Sequence, residues 1–201
     1  MSKAQHTRDR IIEQAAKLFN QQGFAGVSMS ALMAATGLKK GGLYNHFASK
    51  DELAIAAFNY SVQLASQRQF AAMRCQRRAD DRLRAMVQTF VDNFDEISAW
   101  GGCPLMNTAI DSDDAHPQLR EHARLAMNRW RELIEHIAQK GVERREFASQ
   151  TDPRMVATIV ISVLEGALAL ARLDGDRLPM QQAQTHLDSY INSLVWAPDT
   201  S

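Results

Sequence analysis

Two cysteines in 201 residues, Cys75 and Cys103, lie too far apart along the chain to make a disulfide framework. No Cys or His grouping has the spacing of a zinc site. No uninterrupted apolar run approaches the roughly 18 residues needed to cross a bilayer, and the opening MSKAQHTRDR lacks the apolar core of a signal peptide. The expectation is a cytoplasmic protein in a reducing compartment, with no membrane partner. Also missing are a P-loop, a G-x-S-x-G elbow and an H-E-x-x-H helix, and Glu121-His122 and Glu135-His136 lack the second histidine. Those absences remove the commonest phosphate-cradling, acyl-transfer and metalloprotease chemistries, and no cofactor and no catalytic residue is expected. Net charge is lacking too: 23 Lys and Arg balance 23 Asp and Glu.

That balance conceals an asymmetry. Residues 1–50 hold seven cations (Lys3, Arg8, Arg10, Lys17, Lys39, Lys40, Lys50) against Asp9 and Glu13, a surplus of five, which the rest of the chain reverses. A basic first quarter on an acidic remainder points to a polyanion-binding head on a body with another task. With 45% hydrophobic and 23% charged residues the composition is that of an ordinary globular protein, long enough for one sizeable core or two small ones.

The periodicity is helical throughout. Ile11, Ala15, Leu18 and Phe19 form an i, i+4, i+7, i+8 stripe that Gly23 ends. Ser28 can cap a short helix with Met29, Leu32 and Met33 on its apolar side, closed by Gly37. A third short helix is predicted from about Lys40 to Phe47, and Ser49-Lys50-Asp51-Glu52 reads as a capping box that opens a long helix. Four of the five prolines, Pro104, Pro117, Pro153 and Pro179, mark later helix starts. The pattern predicts an all-α chain of about nine helices without a strand, with one acidic loop at about 111–116.

A short helix, a tight turn at Thr36-Gly37-Leu38 and a second short helix make a helix-turn-helix packed on the first helix through Phe19, Leu32, Leu43 and Phe47. The outward helix would present Lys39 and Lys40 to phosphates, with Gly41 and Gly42 allowing close approach to a flat surface. Tyr44 and His46 offer a hydroxyl and a ring N–H, and Lys50 at a helix start offers a further phosphate contact. Ser28 and Asn45 complete the candidate DNA-binding set.

The segment GFAGVSMSALMAATGLKKGGLYNHFASKDEL resembles the DNA-binding region of the tetracycline-repressor (TetR) family. Gly23-Phe24, the Thr36-Gly37-Leu38 turn, Lys40-Gly41, Leu43-Tyr44, His46-Phe47 and Ser49-Lys50 stand in the family order. Two departures are visible: Ala31 where an acidic residue is common, and Lys39 where a small hydroxyl residue usually caps the recognition helix. The resemblance implies an N-terminal three-helix DNA-binding domain, residues 1–50, and a larger helical effector-binding and dimerisation domain, residues 51–201. It further implies a homodimer on a partly palindromic double-stranded operator, released when a small-molecule effector enters the C-terminal domain.

The body supplies candidates for both tasks. Ile159, Val163, Gly166 and Ala167 on one helix, with Leu187, Ile191 and Leu194 on another, form more apolar surface than a helix with one wet face needs, which suggests a four-helix dimer interface. Phe90, Phe94, Trp100, Cys103, Met106, Asn107, Met127, Trp130 and Glu165 are the aromatic, sulfur-bearing and polar groups that line adaptable pockets. Two alternatives remain open. Cys103 follows two glycines at a helix start, where a thiolate can be stabilised, and WGGCPLMN resembles the Gly-Cys stretch of some electrophile-sensing members of the family. A helical small-molecule-binding protein or enzyme using His122 and Glu165 would leave the basic head unexplained.

Overall fold

The computed structural model describes residues 2–112 and 116–197. Within them the chain is all-α, in ten helices: α1 Lys3–Gly26, α2 Met29–Thr36, α3 Lys40–Tyr44, α4 Lys50–Met73, α5 Ala79–Asp92, α6 Phe94–Ala99, α7 Pro104–Asp111, α8 Pro117–Glu143, α9 Pro153–Asp174 and α10 Leu178–Leu194. No strand occurs among the described residues, only an isolated antiparallel bridge between Phe147 and Val195. The acidic loop expected at 111–116 falls largely outside the described residues.

The local signals act as their chemistry dictates. The Ser28 hydroxyl accepts from the Ala31 N–H at 3.1 Å, and Gly37 closes α2 in the left-handed region. Ser49 accepts from the Glu52 N–H at 3.0 Å, while the Glu52 carboxylate takes the Ala48 N–H at 2.7 Å, a capping box displaced by one residue at its return bond. Pro104 and Pro153 stand in the first turns of α7 and α9, and the Asp152 carboxylate caps α9 at the Arg154 N–H. Gly23 has φ +71°, so the α1 segment is kinked there and the chain turns into the head.

Two compact units result. The first holds residues 1–65 and 97–126, the second residues 66–96 and 127–201; α4 and α8 each run through both. Residues 51–65 thus fall in the same unit as residues 1–50, the span that the family resemblance implied for the DNA-binding domain. The first part of α4, with α6 from Ile97, α7 and the start of α8, belongs with the head, because the end of α1 is hydrogen-bonded to the α6–α7 turn. In the first unit Ile11, Ala15, Leu32, Leu43, Phe47 and Leu53 form the core.

In the second unit α10 packs on α9 and α5. Leu187 and Ile191, expected to meet a second copy of the chain, are 0% exposed within one copy, and Ala167 is buried as well. The apolar side of α10 is consumed by the chain's own core, as a unit of this size requires. Helix α9 is apolar enough by length and composition to cross a membrane, with a mean hydropathy of 1.9, a property the residue-by-residue reading of apolar runs missed. Half of that window is buried in the protein.

Candidate functional site

Helix α3 is anchored by one side chain and exposed by the rest. Leu43 is 2% exposed and locks into the core with Phe47 and Leu32, so the opposite side of this short helix must face outward. Lys39, Lys40, Gly41, Tyr44 and Asn45 are all exposed there, while Gly42 and His46 are half-buried. Lys39 is the N-cap and makes no side-chain cap bond, which leaves its ammonium outside the helix. The Lys40 ammonium lies over the exposed Tyr44 ring, 5.9 Å from its centroid. Ser28 is exposed and pairs with Ser30 at 2.7 Å at the start of α2.

The two glycines have no internal explanation. Neither has positive φ, a Cβ on Gly41 would meet nothing within 4 Å, and one on Gly42 would make only ordinary contact with Leu38. Helical glycine costs about 1 kcal/mol relative to alanine, so the chain's own packing would favour a side chain at either position.

Lys50 is placed differently from the open phosphate contact suggested by its position at a helix start. Its ammonium donates to the Phe24 carbonyl at 2.6 Å and lies 4.2 Å from the Phe24 ring centroid. Burial draws its pKa below the usual lysine value, an effect that the charges of Asp51 and Asp111 oppose. In this structure Lys50 ties α4 to the last turn of α1, just past the kink at Gly23.

Behind the head, the end of α1 is clamped to the α6–α7 turn. The Asn20 amide donates to the carbonyls of Trp100 at 2.7 Å and Gly102 at 2.9 Å. Asn107 donates to Asn20 Oδ1 at 3.0 Å and to the Gly101 carbonyl at 2.9 Å, and Asp111 accepts from the Phe24 N–H at 2.7 Å. Gly101 is obligatory here: φ is +100°, and a Cβ would lie 2.8 Å from the Asn20 carbonyl oxygen. Trp100 packs against the head core, Cys103 is the half-buried N-cap of α7, and Met106 is half-buried on α7. Four residues that the sequence grouped as effector-binding, Trp100, Cys103, Met106 and Asn107, thus belong to the first unit. Sequence reasoning did not single out Asn20 and took Asp111 only as the start of an acidic loop, since their partners lie 80 or more residues away.

The remaining five, Phe90, Phe94, Met127, Trp130 and Glu165, belong to the second unit. Phe90 and Trp130 stack with centroids 6.1 Å apart, and the Trp130 indole N–H is buried with no hydrogen-bond partner among the described residues. Phe94 is buried beside the Arg177 guanidinium, Met127 is half-buried, and Glu165 is buried on α9. Of the two residues considered for a catalytic role, His122 pairs with Asn59 at 3.3 Å in the first unit, and Glu165 belongs to the second.

Part of the outward side of α9 is also apolar, interrupted by exposed Ser162 and bordered by Thr158 and Arg172. Met155 is 58%, Leu170 55% and Leu173 83% exposed, and with half-buried Ile159 and exposed Gly166 they follow one helical stripe. Val163 flanks it, half-buried, as is Leu194 at the end of α10. The outer face of α10 is polar by contrast: Gln182, Thr185, His186 and Ser189 are exposed.

A three-helix head with an exposed basic third helix, joined to a larger helical body, defines the helix-turn-helix transcriptional regulators. The family model for the N-terminal region, "Bacterial regulatory proteins, tetR family", matches residues 11–57, and "Tetracyclin repressor-like, C-terminal domain" matches residues 79–187. A TetR transcriptional regulator from Chloroflexus aurantiacus J-10-FL is 42% identical and superposes with a TM-score of 0.92, covering 97% of this chain and 98% of its own. A TetR-family regulator from Cytophaga hutchinsonii is 32% identical, with a TM-score of 0.89 over 98% and 99% of the two chains. Among curated relatives, the transcriptional regulator LmrA of Bacillus subtilis is 25% identical over 94% of this chain and 96% of its own. The transcriptional repressor NemR of Escherichia coli is 23% identical over 92% and 94%. The chain belongs to the TetR family and is a DNA-binding transcriptional regulator.

Proposed function

We propose that the protein is a cytoplasmic homodimeric repressor, without enzymatic activity, that binds a partly palindromic double-stranded operator through α3 and is released by a small-molecule effector. The observation that carries the DNA contact is the pair of glycines on α3, tolerated at a cost in helix stability with no packing reason inside the chain. That cost makes sense if the reason lies outside, where a flat surface such as the floor of the major groove must come close to the backbone. Lys39, Lys40, Tyr44 and Asn45 stand around them, with Ser28 at the start of α2 and His46 beyond. The named repressors among the relatives, NemR in particular, favour repression over activation.

The dimer surface is the apolar stripe Met155, Ile159, Val163, Gly166, Leu170 and Leu173, since large exposed apolar side chains in one line are what a second copy would cover. The effector sits near Phe90, Phe94, Met127, Trp130 and Glu165. It is a mostly apolar molecule carrying an acceptor, because a buried indole N–H without a partner costs about 1–3 kcal/mol that a ligand oxygen could recover.

An operator selected from a random duplex library gives the test. With Lys39 and Lys40 both changed to Ala, binding to operator and to random DNA should weaken alike, and the dependence of log K on log salt should flatten by about 3.6 for the dimer, roughly 0.9 for each of two lysines on each subunit. An unchanged slope in the folded double variant would remove α3 from the interface.

A further inference from the structure

We propose that the cleft at the root of the head, bounded by the end of α1, the first half of α4 and α7, is a second small-molecule site, which takes a small organic cation carrying an apolar or aromatic group. The cleft encloses about 350 Å³, enough for a compact ligand, and lies wholly within the first unit. Phe19, Phe24 and Phe58 supply aromatic walls, and Phe58 and Ser61 are nearly fully buried.

The polar lining is mixed, with the amides of Gln21 and Gln22 and the Thr108 hydroxyl beside Ser61, Asn107 and Asp111, but its charge is of one sign. Among the described residues of the lining, Asp111 is the only charged one, and none is Lys, Arg or His. One of its oxygens accepts from the Phe24 N–H, and a carboxylate retains further lone pairs. The Ser61 hydroxyl donates its hydrogen to the Ala57 carbonyl, so towards the cleft it can only accept. The Asn107 amide nitrogen is committed to Asn20 and Gly101, which leaves its carbonyl oxygen as the group able to serve a ligand. Lys50 already lies over one face of Phe24 and of Phe19, so the Phe58 ring, the remaining faces and the Asp111 charge are what favour a cation over an anion here.

The neighbouring cation, Lys50, does not line the cleft, because its ammonium is held by the Phe24 carbonyl and ring. The position of Asp111 is itself fixed: Gly23 has φ +71°, and a Cβ there would stand 2.6 Å from Asp111 Oδ1, so only glycine lets the carboxylate dock. The site shares no residue with the Phe90–Trp130 cluster, and its occupancy would brace α1 against α4 and α7 directly.

The test titrates the full-length protein, free of DNA and effector, with benzyltrimethylammonium, benzyl alcohol and benzoate, following backbone amides by NMR. The cation should shift the amides of Phe24, Gly101 and Asn107 and bind about tenfold or more tighter than the alcohol, with benzoate weakest. Asp111→Asn retains an oxygen for the Phe24 N–H and should lose about tenfold in affinity for the cation with its ligand-free melting midpoint kept. If that variant does not fold, Phe58→Leu carries the test, narrowing the gap between cation and alcohol. Equal binding of the three probes, insensitivity to both substitutions, or shifts confined to the Phe90–Trp130 region would overturn the assignment. None of these outcomes bears on operator binding, so the failure of this site is distinguishable from that of the proposed repressor.

Discussion

Gly41 separates what the chain needs for folding from what it needs for its partner. An alanine there meets no neighbour, and the helical backbone welcomes it, so Gly41→Ala should raise unfolding free energy by up to about 1 kcal/mol in urea denaturation. The same change should weaken operator binding, because the added methyl holds the backbone away from the base edges. A variant both more stable and equally tight on DNA would show that α3 does not approach the duplex at Gly41. Residue-scale reading of the sequence succeeded where the partner is close in number: Ser28 with Ala31, Ser49 with Glu52. It was incomplete for Lys50, whose position at a helix start resembles a phosphate site. The Phe24 carbonyl that holds its ammonium lies 26 residues away, beyond any local pattern.

At the scale of elements, α7 and the end of α1 form one clamp, and Asn107 is its hub. Asn107→Ala removes donors from Asn20 Oδ1 and from the carbonyls of Asn20 and Gly101, all of them part-buried. The expected destabilisation is about 1–3 kcal/mol, read from chemical denaturation, with the loss of ordered exchange protection concentrated around Gly101 and Asn20. A loss below about 0.5 kcal/mol would mean that water replaces these bonds freely and that the turn is not clamped by Asn107. The helices themselves were legible, since caps and prolines are local. Which side of a helix faces what was less so. On α10 the stripe Leu187, Ile191 and Leu194 was visible, but an apolar stripe looks the same whether it faces its own core or another chain. On α9 the residues best placed for a partner include Met155, Leu170 and Leu173, which a search centred on the middle of the helix passed over.

For the whole molecule, the head and body carry opposite charge surpluses, and the two apolar sides of α9 have different destinations. One is consumed within the chain: Val160 and Leu164 are 0% exposed. The other, from Met155 to Leu173, extends for roughly 27 Å at 1.5 Å per residue, which is long enough for a second copy to lie along it. Two glutamates distinguish these sides. Leu170→Glu places a charge on the outward stripe, which in a monomer is solvated at little cost but in a dimer must be desolvated, a penalty of about 3–5 kcal/mol for an unpaired charge. The variant should sediment as a folded monomer with near-normal helical content. Ile191→Glu places the same charge in the core of one chain and should abolish cooperative folding at any protein concentration. If Leu170→Glu sediments as an intact dimer of unchanged stability, the stripe is not the interface and the second copy sits on another surface. If it unfolds as Ile191→Glu does, the chain has no stable monomer, and its fold and its dimer form together.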